Sequence, residues 1–330
     1  MIPLLQQLIA IPSFSREEKA AADFLEMQLQ QFGLTPHRSG NNLWCAKGSG
    51  PVLLMDAHID TVKPAGGWTR NPFTPTLENG RLWGLGANDD GGSVVALIHA
   101  FLQARPQKHT LVLSLSAEEE VSGKDGLERV LPEIEAQCGP ICCGIIGEPT
   151  GMQMAVREKG LMVLDCVSHG AAGHAARGDG VNAIFQALPD IAWFREQGMQ
   201  VTQIEAGTQH NVIPASCRFV VDVRTTRPNT EVLKQIQSAV SSRVTPRSTR
   251  LNGTQTPLTH PLVLSGLALG LKTYDSPTLS NQALCPFPTI KLGPGESARS
   301  HSADEYIGLQ EVEEAAALYL KLLETYENLG

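Results

Sequence analysis

The chain has no run of lysine or arginine, no Cys-x-x-Cys pair, and no apolar stretch near the roughly 18 to 20 residues that a membrane span needs. Each absence excludes a class. Without basic runs, and with a net charge of -8 and a pI near 5.6, non-specific attraction to nucleic acid or to an anionic membrane is excluded. The seven cysteines, at 45, 138, 142, 143, 166, 217 and 285, are odd in number and mostly in apolar surroundings, which reads as reduced structural thiols. The first eleven residues are apolar but carry Pro3, Gln6 and Gln7 with no cation before Arg16, unlike a secretory signal. No internal repeat or low-complexity tract is visible. The expectation is a cytoplasmic protein whose partner is a small molecule.

What is present is 330 residues at 42% hydrophobic content, enough for two domains with cores of their own. Ser15-Arg16-Glu17-Glu18 has the form of a capping box, and Ala20, Ala22, Phe24, Leu25, Leu29 and Phe32 follow at helical spacing until Gly33. Short apolar runs at 52–55, 111–115 and 142–146 read as buried strands, separated by helical patterns at 92–105 and 127–136. Buried strands alternating with helices predict an α/β sheet covered on both faces. After Pro149 the texture changes. Strands predicted at 161–169 and 216–223 alternate, with helices at 181–197 and 230–243, which fits a small α+β insert with one open sheet face. A helix over 309–326 closes the chain. The reading is a discontinuous catalytic domain, 1–155 and 254–330, interrupted by an inserted domain, 156–253.

The polar residues fall where such a fold places sites. His58 and Asp60 alternate with Ile59 at the end of a buried strand, so one can bind a metal while the other orients it. Gly84-Leu85-Gly86-Ala87-Asn88-Asp89 resembles a dinucleotide-binding turn, but aspartate stands where the third glycine belongs. Instead it presents Asp89 and Asp90 before a helix. Glu118-Glu119-Glu120 follows another strand, and three successive carboxylates repel unless cations or water hold them. Gly147-Glu148-Pro149-Thr150 ends the next strand, with Pro149 forcing Glu148 into an extended conformation. His174 lies in a glycine- and alanine-rich loop, Asn211 offers an amide, Arg224 closes a strand with a cation, and His301 follows the turn at 293–295. Singly, each fits an ordinary cap, turn or loop. Together, successive strand ends presenting histidine and carboxylate suit zinc or cobalt.

In this order the segments resemble the M20 metallopeptidases, the group of zinc-dependent deacylases and exopeptidases. His58-Ile59-Asp60-Thr61-Val62, Gly84 to Gly92, Glu118 to Gly123, Gly147 to Thr150 and Ser300 to Glu305 are similar to five successive motifs of that family, across nearly the whole chain. The resemblance implies a zinc-exopeptidase-like catalytic domain with a ferredoxin-like lid and dimerisation insert. It also implies two Zn2+ or Co2+ per subunit and a homodimer. By it, Asp89 bridges the metals, His58 and Glu148 complete one site, and Glu120 and His301 the other. Glu119 is the general base, Asp60 orients His58, and the Asp89-Asp90 peptide is cis. His174 stabilises the oxyanion, with Asn211 beside it, and Arg224 or Thr278 holds the substrate carboxylate. Two departures stand out: Asp90-Gly91 replaces the usual Met-Lys or Asp-Lys, and no proline follows His174 closely.

Gly173 to Arg177, Gln209 to Pro214, Ser276 to Ser280 and Arg299 to His301 look most like the acetylornithine and succinylornithine deacylase branch. The expected reaction is therefore hydrolysis of an N-acyl-L-amino acid to L-ornithine in arginine biosynthesis. A succinyl tail would call for a cation such as Arg177, Lys159 or Arg299. The alternatives are a dipeptidase or carboxypeptidase using the same centre, or a catalytically silent binding protein.

Overall fold

A computed structural model describes residues 1–329. The chain forms two compact units, one comprising 1–157, 255–276 and the residues from Ser280 onward, the other 158–254 with 277–279. Up to residue 158 the elements are α1 (Ile2–Ile9), α2 (Lys19–Gln31), β1 (His37–Ser39), β2 (Asn42–Gly48), β3 (Val52–His58), β4 (Thr76–Glu78), β5 (Arg81–Trp83), α3 (Gly92–Gln103), β6 (Thr110–Ser116), α4 (Leu127–Cys138), β7 (Ile141–Ile146) and β8 (Met154–Glu158). Then come β9 (Gly160–His169), β10 (Gly173–His174), α5 (Ala183–Glu196), β11 (Gln200–Ala206), β12 (Val212–Ile213), β13 (Ser216–Thr225), α6 (Asn229–Ala239) and β14 (Arg243–Pro246). The last stretch adds β15 (Thr254–Gln255), α7 (Pro261–Ala268), β16 (Thr273–Ser276), β17 (Thr289–Lys291), β18 (Tyr306–Gly308) and α8 (Leu309–Leu329).

The first unit is built on a mixed sheet in the order β1-β2-β6-β3-β7-β17-β8-β15, with β16 also on β8. Its centre, β6-β3-β7-β17, is parallel, so those four strands point their carboxyl ends at one edge. Every residue of β3 and β6 is buried, as expected of parallel strands covered on both faces. α1, α3 and α8 cover one face and α4 covers the other, with Trp44, Leu54 and Val112 beneath it.

The second unit has the order β11-β13-β9-β14, all antiparallel, with α5 and α6 packed on one face. That is the ferredoxin-like arrangement expected of the insert. Burial along β9 alternates strictly, and its buried residues Met162, Leu164 and Cys166 meet Phe219, Val221 and Val223 of β13 under Phe194 of α5.

Two local expectations give way. The capping box does not cap: α2 begins at Lys19, Arg16 has a left-handed φ of 74°, and the Ser15 hydroxyl donates instead to Asp60 at 2.7 Å. The helix predicted to reach residue 243 stops at Ala239, because the Ser241 and Ser242 amides and the Ser242 hydroxyl turn to the Asp190 carboxylate. The apolar start of the chain forms α1, which buries Leu4, Leu5, Leu8 and Ile9.

Phe194 is fully buried among Phe219 and its neighbours, so Phe194→Ala should cost about 3 to 5 kcal/mol in the urea unfolding of the second unit. A change under about 1 kcal/mol would refute this account of its core.

Candidate metal centre

The carboxyl edge of the parallel strands gathers the acidic motifs. β3 ends at His58, β6 leads through Ser116 into Glu119 and Glu120, and β7 leads into Glu148. Asp89 sits on the turn before α3, and the Asp89-Asp90 peptide is cis. His301 comes from the loop after β17, with a left-handed φ of 57°. All of these residues belong to the first unit.

Their donor atoms converge. Nitrogen and oxygen atoms of His58, Asp89 and Glu120 all lie within 4.8 Å of one another, as do those of His58, Glu119 and Glu148. His58 Nε2 is 3.1 Å from Asp89 Oδ1, while His301 Nε2 is 3.7 Å from Asp89 Oδ2 and 2.9 Å from Glu120 Oε2. The Asp89 carboxylate thus faces one imidazole with each oxygen, which is what a bridging ligand must do.

The electrostatics match a site built for cations. Burial and the neighbouring Glu148 hold the Glu119 carboxyl well above the usual carboxylate range. Burial pushes Glu148 up to about 8, against the pull of the Lys291 ammonium. Burial also disfavours a charged His58, yet hydrogen bonds to Asp60 and Asp89 outweigh it and raise that imidazole. The hydrogen bond to Glu120 raises His301 to about 9. A mixed set of imidazoles and crowded carboxylates fits two zinc- or cobalt-like ions, with binding coupled to proton release.

Asp60 reaches both the imidazole and the glutamate turn. His58 Nδ1 donates to the Asp60 backbone carbonyl at 2.9 Å, while the nearer carboxylate oxygen is 3.5 Å away. The carboxylate itself accepts the Glu119 amide at 3.0 Å, the Glu120 amide at 3.1 Å and the Ser15 hydroxyl. Asp60 therefore fixes the imidazole with its main chain and the glutamate turn with its side chain. Glu18, fully buried, adds a third anchor by accepting the Glu118 amide at 3.3 Å.

Two further residues were not singled out by sequence reasoning. Glu305 and Asn88 are buried beside the Asp89 turn and hydrogen-bond backbone on both sides of it. Both stand inside quoted motifs, but nothing in residue type or spacing reveals which backbone groups they reach.

The remaining candidates lie in the second unit. His174 and Asn211 come together on the β10-β12 ribbon, where the Ala175 amide donates to the Asn211 carbonyl at 3.0 Å. His174 Nδ1 accepts the Ala176 amide at 3.2 Å, which leaves Nε2 of the neutral ring as an outward donor. Arg224 is not brought to them. It stands eight residues along β13 from Ser216, roughly 26 Å at about 3.3 Å per residue, and its guanidinium is held by Asp222 at 2.8 Å. Thr278 falls in the short piece 277–279. Of the cations considered for an acyl carboxylate, Arg177 is held by Asp179 and Arg299 by Glu311, while Lys159 is exposed.

Residues 54–325 match the model of peptidase family M20/M25/M40. The chain belongs to the M20 family. It is a hydrolase of the metal-dependent amidohydrolase type that family comprises. A succinyl-diaminopimelate desuccinylase of Cereibacter sphaeroides is 27% identical over 377 residues, covering 98% of each chain. One from Acidiphilium cryptum is 30% identical over 250 residues, covering 68% of this chain and 67% of the relative. Among solved structures, a tripeptidase from Staphylococcus aureus superposes with TM-score 0.81 at 18% identity, covering 99% of this chain and 98% of its own. An M20 metallo-carboxypeptidase from Sulfolobus solfataricus gives 0.80 at 14%, covering 99% of both. At those identities the two structures share the fold.

Because Asp60 anchors two consecutive amides of the acidic turn, Asp60→Ala should lower metal affinity by about 10- to 100-fold, as losses behind a metal ligand do. Zinc titration against a competing chelator measures this. Wild-type affinity in the variant would remove Asp60 from that role.

Proposed function

We propose that this M20 hydrolase cleaves the amide bond of an N-acyl-L-amino acid, with N-acetyl- or N-succinyl-L-ornithine as substrate and L-ornithine, for arginine biosynthesis, as product. The observation that carries the reaction class is the convergence of His58, Asp89 and Glu120, and of His58, Glu119 and Glu148, at one sheet edge. The desuccinylase name of the relatives supports a deacylase, and the ornithine branch is supported by the phrases around His174, Asn211, Thr278 and His301.

In this reading His58, Asp89 and Glu148 hold one cation and Asp89, Glu120 and His301 a second, zinc or cobalt. Bound there, the pair supplies Lewis acidity that polarises the scissile carbonyl and makes water acidic enough to attack. Glu119, half-buried and not needed in either ligand set, takes the proton of the attacking water and delivers it to the leaving amine. His174 Nε2–H is assigned to the developing oxyanion, a role worth about 10²- to 10³-fold in rate, with Asn211 beside it. A succinyl carboxylate is assigned to a cation among Arg177, Lys159 and Arg299, and the substrate's α-carboxylate to Arg224 or Thr278.

We also infer a homodimer formed through the second unit. β11 is an edge strand, and Ile204 on it, with Phe185 and Leu188 on α5, is 59%, 66% and 51% exposed. Such an edge beside apolar side chains is a pairing surface. Phe185→Glu with Leu188→Glu should halve the mass found by sedimentation equilibrium; an unchanged mass would place the interface elsewhere.

The reaction is tested by loading the protein with zinc or cobalt and following free amine from N-acetyl-L-ornithine, N-succinyl-L-ornithine, N-succinyl-diaminopimelate and several dipeptides, with and without chelator. Turnover of an acyl-ornithine that the chelator abolishes is expected. Preferential dipeptide cleavage would move the protein to the peptidases. Glu119→Gln should cut kcat by about 10²- to 10⁴-fold while metal content stays at the wild-type level. A fully active variant would end the assignment of Glu119 as base.

A further inference from the structure

Two buried side chains outside the ligand set tie the Asp89 turn to the His301 segment, and they do so in opposite directions. Glu305, 1% exposed, lies four residues beyond His301. Its carboxylate accepts the amides of Gly86 at 3.1 Å, Asn88 at 2.8 Å and Asp89 at 3.0 Å. Asn88, fully buried, lies one residue before Asp89. Its amide oxygen accepts the Glu296 amide at 3.0 Å, and its nitrogen donates to the Glu296 carbonyl at 3.1 Å and the Ser300 hydroxyl at 3.3 Å. Each turn thus carries the residue that fixes the other.

We propose that Glu305 and Asn88 are positioning residues, a reciprocal clamp that sets the bridging geometry of Asp89 and so couples the two halves of the metal centre. The proposal rests on the two-cation reading above. It follows from where each half gets its rigidity. His58 ends a buried strand and is 2% exposed, with Nδ1 fixed by the Asp60 carbonyl, so its half is held by the sheet. His301 has a side chain 54% exposed, comes from a loop, and meets Glu120 and Asp89 only as far as that loop holds its place. The segments on either side of it are tethered by Asn88 at the Glu296 backbone and the Ser300 hydroxyl, and by the amides of the Asp89 turn at the Glu305 carboxyl. Releasing the clamp therefore leaves Asp89 Oδ1 opposite His58 but lets His301 drift from Oδ2. The second cation should be lost before the first.

The close approach of the two turns is built in. Gly295 has φ 81°, and a Cβ there would stand 2.2 Å from Asn88 Oδ1, so only glycine leaves room for the amide.

The test uses the full chain stripped with chelator, as wild type, Glu305→Gln and Asn88→Ala. Each is titrated with zinc by calorimetry against a competing chelator, and with cobalt followed by visible absorption. Metal-free thermal midpoints are recorded alongside. Glutamine presents one acceptor and one opposing donor to three amides; alanine removes all three side-chain bonds without adding charge. The wild type should take up two equivalents. Both variants should keep the first near wild-type affinity and bind the second about 10- to 100-fold more weakly, the usual cost of losing a group behind a metal ligand. A general loss of stability would lower the thermal midpoint without separating the two equivalents. Equal weakening of both, or an unchanged second equivalent in a folded variant, overturns the clamp alone. A wild type that binds a single equivalent overturns the two-cation reading and the clamp with it. Should Glu305→Gln fail to fold, Asn88→Ala decides the matter from the other side.

Discussion

The centre depends on backbone amides donating to buried carboxylates that are not themselves ligands. Asp60 takes the amides of Glu119 and Glu120, Glu18 that of Glu118, and Glu305 those of Gly86, Asn88 and Asp89. A hydrogen bond to a charged acceptor is roughly twice as strong as a neutral one, and in a desolvated site the unpaired alternative is expensive. The turns that carry Asp89 and the Glu119-Glu120 pair are therefore each pinned by an acid standing behind them, while the Glu148 segment is held by backbone, the Gly147 amide donating to the Asp56 carbonyl. Without those bonds the clustered carboxylates, half-buried and mutually repelling, would swing apart into solvent.

This arrangement divides the acids into two populations. Asp60, Glu18 and Glu305 are each 1% exposed or less and have their oxygens occupied by protein donors. Glu119, Glu120 and Glu148 are half-buried and face each other and the imidazoles. The first population has its oxygens met by protein donors, although burial also pushes Glu305 up to about 8, while the second is crowded by its own members and is relieved by protons or cations. Burial drives Glu148 up to about 8, so protons and metal ions compete for it. The same repulsion that makes the acidic cluster costly thus supplies part of its affinity for cations.

How much was legible in the sequence follows from the kind of signal each feature leaves. Buried parallel strands leave unbroken apolar runs, so β3, β6 and β7 could be read, and with them the edge on which His58, Glu119 and Glu148 fall. A small α+β insert with one open sheet face was legible from the alternation in β9 and β13, and its ferredoxin-like form only from the family resemblance. Hydrogen-bond partners leave no such trace. Ser15 has the form of a cap, but a buried carboxylate 45 residues away is a better acceptor for its hydroxyl than the first turn of α2 is a donor. Arg224 has a partner that the sequence does contain: Asp222, two residues back on the same strand, points to the same face and holds the guanidinium.

The glycine-rich turn at 84–89 shows how one physical device serves two ends. In a dinucleotide-binding turn, glycines let backbone amides converge on a phosphate at the start of a helix. Here the amides of Gly86, Asn88 and Asp89 also converge on one acceptor at the start of α3, but it is the Glu305 carboxyl of the same chain, which burial pushes up to about 8. The aspartate in the sixth position rules out the cofactor, while the convergence of amides that makes the motif look familiar remains. An internal carboxylate fills the cradle permanently, so the turn becomes rigid instead of receptive. In the two-cation reading such rigidity suits Asp89, whose carboxylate oxygens face His58 and His301 at the same time. The likeness to a phosphate-binding turn is thus a likeness of backbone electrostatics, and the residue that occupies the cradle decides whether the turn binds a cofactor or builds a metal site.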